Sequence, residues 1–97
     1  MKMLVDFIGS SRPETHKVDG EGFESLLGKV VTLYCLNYIY TGKLIGVGDT
    51  CILLDSPKIV YETGDYNNPK WKDAQALPNQ IYIQIACVES FGIIKND

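Results

Sequence analysis

The sequence predicts a mainly β domain, a short N-terminal helix followed by a five-stranded, strongly bent antiparallel barrel. Three observations carry this expectation. The apolar spacing changes from helical to period two near Gly28. Beyond it, short apolar runs are separated by turn residues at close intervals, the pattern of small all-β folds. Gly42 lies inside one of these runs and Gly46 and Gly48 near its end, where glycine marks a bend or a close approach of two backbones.

The elements follow in order. Residues 1–18 read as an appendage: Met3, Leu4, Val5, Phe7 and Ile8 are apolar, and Gly9-Ser10-Ser11-Arg12-Pro13 breaks the run. The domain proper spans 19–97. Asp19 to Gly28 predicts the helix. Asp19 is the N-cap candidate, Phe23, Leu26 and Leu27 form the apolar face, and Gly28 is the left-handed stop. Lys29 to Leu36 is the first strand, Asn37 the turn, and Ile39 to Val47 the second strand. Gly48-Asp49 turns the chain into a third strand, Thr50 to Asp55, which Ile59-Val60-Tyr61 continues past a bulge at Ser56-Pro57. Gln80 to Ala86 alternates cleanly and is the fourth strand. Cys87 to Ile94 follows almost without connector, which predicts a corner where the chain changes partners. Phe23, Leu26, Val31, Leu33, Leu44, Leu53, Ile83 and Val88 are the expected core.

Composition narrows the function. The chain has 97 residues, a net charge of −3 and 45% hydrophobic residues. That suits one folded domain and lacks a strongly basic nucleic-acid footprint. No apolar run reaches the ~18–20 residues of a membrane span, and the first stretch is too short and charged for a secretory signal. The cysteines, Cys35, Cys51 and Cys87, are odd in number and never at C-x-x-C spacing, so they read as small buried hydrophobes in a reducing cytoplasm. His16 is the single histidine and falls in the appendage. Neither a metal site, a cofactor nor a catalytic constellation is expected, because no motif meets the geometric roles that catalysis needs.

Glu62 to Pro78 is the one long loop in the body, about seventeen residues, a length that belongs to functional or mobile segments. It carries Lys70-Trp71-Lys72. An exposed Trp between two lysines can stack on a base. The competing reading folds Trp71 and Tyr66 back over the barrel or into a subunit contact.

The stretch Gly28 to Ser56, GKVVTLYCLNYIYTGKLIGVGDTCILLDS, resembles the Sm/LSm/Hfq superfamily. Val31, Leu33, Tyr40, Gly42 and Leu44 stand where that family's first motif has its V-x-V-x-L and aromatic-x-G-x-L strands. Cys51-Ile52-Leu53-Leu54 is similar to the bacterial Hfq branch, and Ile83 to Val88 takes the place of the second motif. The resemblance spans about two-thirds of the chain through order and spacing. It implies an Sm-like, SH3-like open barrel and a cyclic homo-oligomer of about five to seven copies with single-stranded RNA as partner. The family's base-stacking, arginine and edge-reading positions correspond here to Thr50, Gln84 and Ile52, a degenerate nucleotide pocket with Asp49 beside it. Candidate RNA contacts are therefore Lys70, Trp71, Lys72, Asp49, Thr50 and Gln84. The subunit interface is expected at Ile81, Tyr82, Ile83, Gln84, Ile85, Phe91 and Ile93, where apolar strand edges invite a second chain. Two functions compete: an RNA-binding ring, and a structural or adaptor ring that binds protein.

Overall fold

The computed structural model describes residues 21–97. The expected appendage at 1–18, the N-cap Asp19 and His16 lie outside the described residues. Within them, the chain forms one antiparallel sheet of six strands that does not close into a barrel. The strands are β1 (Val30–Cys35), β2 (Ile39–Val47), β3 (Cys51–Glu62), β4 (Asp73–Ala76), β5 (Ile81–Gln84) and β6 (Val88–Gly92).

The expected α-helix is a five-residue 3-10 turn, Gly22–Leu26. It opens on Gly22 at φ 75° and is followed by Gly28 at φ 84°, both in the left-handed region. So short a span cannot recover the cost of nucleating an α-helix, and the tighter winding serves in short pieces. That winding aligns residues three apart. Phe23 and Leu26 therefore pack on the core together, while Leu27 swings out to 47% exposure. Gly28 does end the turn, as the sequence suggests.

Turn residues set the hairpins. Cys35 N donates to Tyr38 O (3.0 Å) across the Asn37 turn, and Gly48 N donates to Cys51 O (2.8 Å) before β3. Gly42 on β2 sits tight against β3. A Cβ there would lie 3.1 Å from Asp55 O and 3.2 Å from Pro57 Cα, so the site takes only glycine without backbone movement. The partner register slips between Thr41↔Lys58 and Lys43↔Asp55, with Ser56 at φ 51°. This is the bulge expected at Ser56-Pro57, and it lets β3 run twelve residues through a bend.

The bend divides β3 between two partners. Its first half pairs with β5, from Cys51↔Gln84 to Leu54↔Ile81. Its second half pairs with β4, from Lys58↔Ala76 to Glu62↔Asp73. The strand β4 corrects the five-strand expectation. Asp73 to Ala76 lies inside the expected Glu62–Pro78 loop and has no β-branched or aromatic residue; pairing with β3 makes it a strand. At the other end, β6 pairs with β1. Between β5 and β6 the chain turns through a three-residue 3-10 segment, Ile85–Cys87, at the expected corner.

Val31, Leu33, Leu44, Ile52, Leu54 and Ile83 form the core, with Phe23, Leu26 and Val88 packed against it. Leu53 corrects the expected core. Strand residues alternate between faces, and the inward ones are Ile52 (1% exposed) and Leu54 (0%), so Leu53 faces away and is half-buried. A second buried group lies on the opposite face. Thr32 and Thr41, partners across β1 and β2, are buried there, as is Val60. Thr41 Oγ1 donates to Val31 O at 2.9 Å, whereas the Thr32 hydroxyl has no partner among the described residues.

Candidate functional site

The sequence candidates separate into two places. Asp49, Thr50 and Gln84 come together at the β3–β5 corner. Thr50 O accepts from Ile85 N at 2.9 Å, and Cys51 pairs with Gln84 in the ladder. All three side chains are exposed. They offer a carboxylate, a hydroxyl and an amide, with no ring and no cation among them. Ile52, which the sequence resemblance sets at an edge-reading position, is buried in the core and presents nothing to a ligand.

Lys70, Trp71 and Lys72 lie elsewhere, ahead of β4. Lys70 and Lys72 are exposed, and Lys72 sits 3.5 Å from the Glu62 carboxylate. An exposed Trp71 is not what the structure has. The residue is 7% exposed, and its indole packs against the Lys95 ammonium, 4.9 Å from the ring centroid. The fold-back reading of the Trp is the one the structure shows, while Lys70 and Lys72 on either side of it stay exposed. Tyr66 joins it through a 2.9 Å hydrogen bond to the Tyr34 hydroxyl on β1. Burial, and then this hydrogen bond, pushes the Tyr34 hydroxyl up to about 12.

The expected interface residues divide by side chain. Tyr82 (71%), Phe91 (38%) and Ile93 (46%) are exposed, and Gln84 with them. Ile83 is a core residue, since the β5 alternation turns it inward, and it offers a neighbour only its main chain. Ile81 and Ile85 are half-buried against the core. Phe91 is stacked on Phe23, with ring centroids 3.9 Å apart, so its own chain already covers one face. Among the described residues, β5 and β6 each pair on one side only.

Sequence reasoning missed a groove of about 300 Å³ between the β1–β2 turn and β5. Leu36, Tyr38 and Tyr82, all exposed, line it together with Cys35, Cys87 and Gln84. Leu36 and Tyr38, apolar on both sides of the turn residue Asn37, were the available signal. Burial, and then the neighbouring Cys87 and Glu89, pushes the Cys35 thiol up, which keeps it protonated and a poor nucleophile. Among the described residues no His, Cys, Asp and Glu side chains gather into a metal-binding group, and no helix is long and apolar enough to cross a membrane. The chain matches no protein-family model and no curated protein.

Proposed function

We propose that this chain is an Sm-like protein that assembles into a closed ring by strand pairing and offers single-stranded RNA a low-affinity site on each copy. One observation carries the reading: β5 and β6 are edge strands joined by a tight 3-10 corner. Each has one ladder satisfied and one row of backbone donors and acceptors facing outward. Pairing β5 of one copy with β6 of the next uses different surfaces on the two copies, so repetition closes a ring or runs on as a filament. The sequence resemblance favours the ring. On it, Asp49, Thr50 and Gln84 repeat about the axis, and multivalency raises avidity by ~10²–10⁴ without better contacts. Lys70 and Lys72 supply phosphate contacts, each worth a salt slope of about 0.7 on a single strand.

A second reading, an adaptor ring that binds protein, is favoured by the groove under Leu36, Tyr38 and Tyr82 together with the burial of Trp71. The readings separate in two measurements. Light scattering at micromolar concentration is expected to give a discrete multiple of the 10.8 kDa chain; a stable monomer ends both ring readings. Titration of oligo-U and oligo-A from low to physiological salt is expected to show weak, salt-sensitive binding that Gln84→Ala reduces. No binding even at low salt leaves the adaptor.

A further inference from the structure

Lys95, just beyond β6, is 3% exposed. Lysine is rarely so buried without a carboxylate partner, yet among the described residues none is within ion-pair distance. Its ammonium donates instead to three main-chain carbonyls: Thr63 O at 2.6 Å, Asp65 O at 3.0 Å and Lys70 O at 2.8 Å. An ammonium has three N–H donors, so every one is used. Two aromatic faces complete the surround, Trp71 at 4.9 Å and Tyr66 at 5.7 Å from the ring centroids. Both fall within the ~6 Å over which a ring attracts a cation.

The three carbonyls come from one short segment folded on itself. Asn68 N donates to Asp65 O (2.9 Å), Lys72 N to Thr63 O (3.4 Å), and Asn67 N to the Asp65 carboxylate (2.8 Å). Gly64 at φ 69° permits the reversal. Carbonyl oxygens aimed at one point repel each other, and a central cation offsets that repulsion. The Lys95 ammonium thus adds to main-chain bonds that already hold Thr63 O and Asp65 O.

We propose that residues 63–71 are a binding site for a primary alkylammonium group, filled in cis by Lys95. The chemistry sets the selectivity. A tripod of carbonyls needs three donors on one nitrogen, which a primary ammonium has and a quaternary ammonium lacks. The Trp71 and Tyr66 rings add apolar contact to an alkyl chain, which a bare metal cation lacks. When Lys95 is removed, the site takes a free alkylammonium of matching length, and without one it opens.

Trp71 is the single tryptophan of the chain, so its fluorescence reads this site alone. The test is Lys95→Ala, which deletes the atoms of n-propylammonium. Trp71 emission is expected to move to the red, its quenching by acrylamide to rise severalfold, and amide exchange at 63–72 to accelerate, with β1 to β3 unchanged. Added n-propylammonium chloride is expected to reverse these changes, while tetramethylammonium and potassium chlorides at equal ionic strength do not. Wild-type emission in Lys95→Ala, failure of n-propylammonium, or equal action of the three salts overturns the proposal. Should Lys95→Ala unfold the sheet, the wild-type chain decides it. In ¹⁵N-lysine-labelled protein, one ammonium signal, lost in Lys95→Arg, must show protected protons shifted upfield by the indole; its absence overturns the proposal equally.

Discussion

The sharpest energetic test is the choice between neighbours on β3, Leu54 and Leu53. Leu54 is fully buried in the core, partnered by Leu44 on one side and Ile81 on the other. Leu54→Ala removes three carbons, which at ~0.8 kcal/mol each forfeits about 2.4 kcal/mol of transfer free energy. The sheet is held on both sides of this residue and cannot collapse fully into the space. The residual cavity brings the cost to about 3 kcal/mol, inside the ~2–5 kcal/mol range of such truncations. A domain of this size has ~5–15 kcal/mol in total, so the loss is large. With a urea dependence of ~1 kcal/mol/M, the midpoint falls by about 3 M. Leu53 faces away, half-buried, and its Cβ, which lies against Gly46, survives in alanine. Leu53→Ala is expected to cost about 1 kcal/mol, because little apolar area returns to water. The assay is urea unfolding followed by circular dichroism at one fixed protein concentration, since assembly would shift the midpoint by mass action. Leu53→Ala costing as much as Leu54→Ala would refute the assignment of faces, and with it the register of β3 against β5.

Three further outcomes are expected. Gly42→Ala destabilises by about 2 kcal/mol or more in the same assay, since the new Cβ meets backbone at Asp55 and Pro57 that cannot yield like a flexible side chain. Thr41→Val costs about 1 kcal/mol through its lost hydrogen bond to Val31, whereas Thr32→Val is neutral or stabilising because it deletes a buried hydroxyl that has no partner; equal losses at both positions would contradict the difference in their bonding. Tyr34, held protonated to about 12 against its ordinary 10.0, contributes stability that is complete below pH 10 and is lost as pH climbs toward 12, because the unfolded chain gives up the proton first. The stability gap between wild type and Tyr34→Phe is therefore expected to narrow across that window in pH-dependent urea unfolding, and a gap that stays constant would show that the hydroxyl does not titrate with folding.

Alternation and punctuation determined much of this protein from sequence. Val31 and Leu33 inward, Gly42 at a close approach, the bulge at Ser56-Pro57 and the corner at Ala86-Cys87 all follow from local rules of side-chain period, steric room and turn chemistry. These rules act over a few residues, so the residues themselves state them. The tertiary structure decided what depends on partners distant in the chain. Leu53 and Leu54 both satisfy an apolar run, and only the pairing of β3 with β5 turns Leu54 inward. Asp73 to Ala76 is a strand because β3 lies beside it, not because of its own composition. Lys95 reads in the sequence as one more dispersed lysine. Its burial comes from carbonyls twenty-five to thirty-two positions away, and backbone carbonyls are the one kind of ligand that every residue carries and no sequence pattern marks.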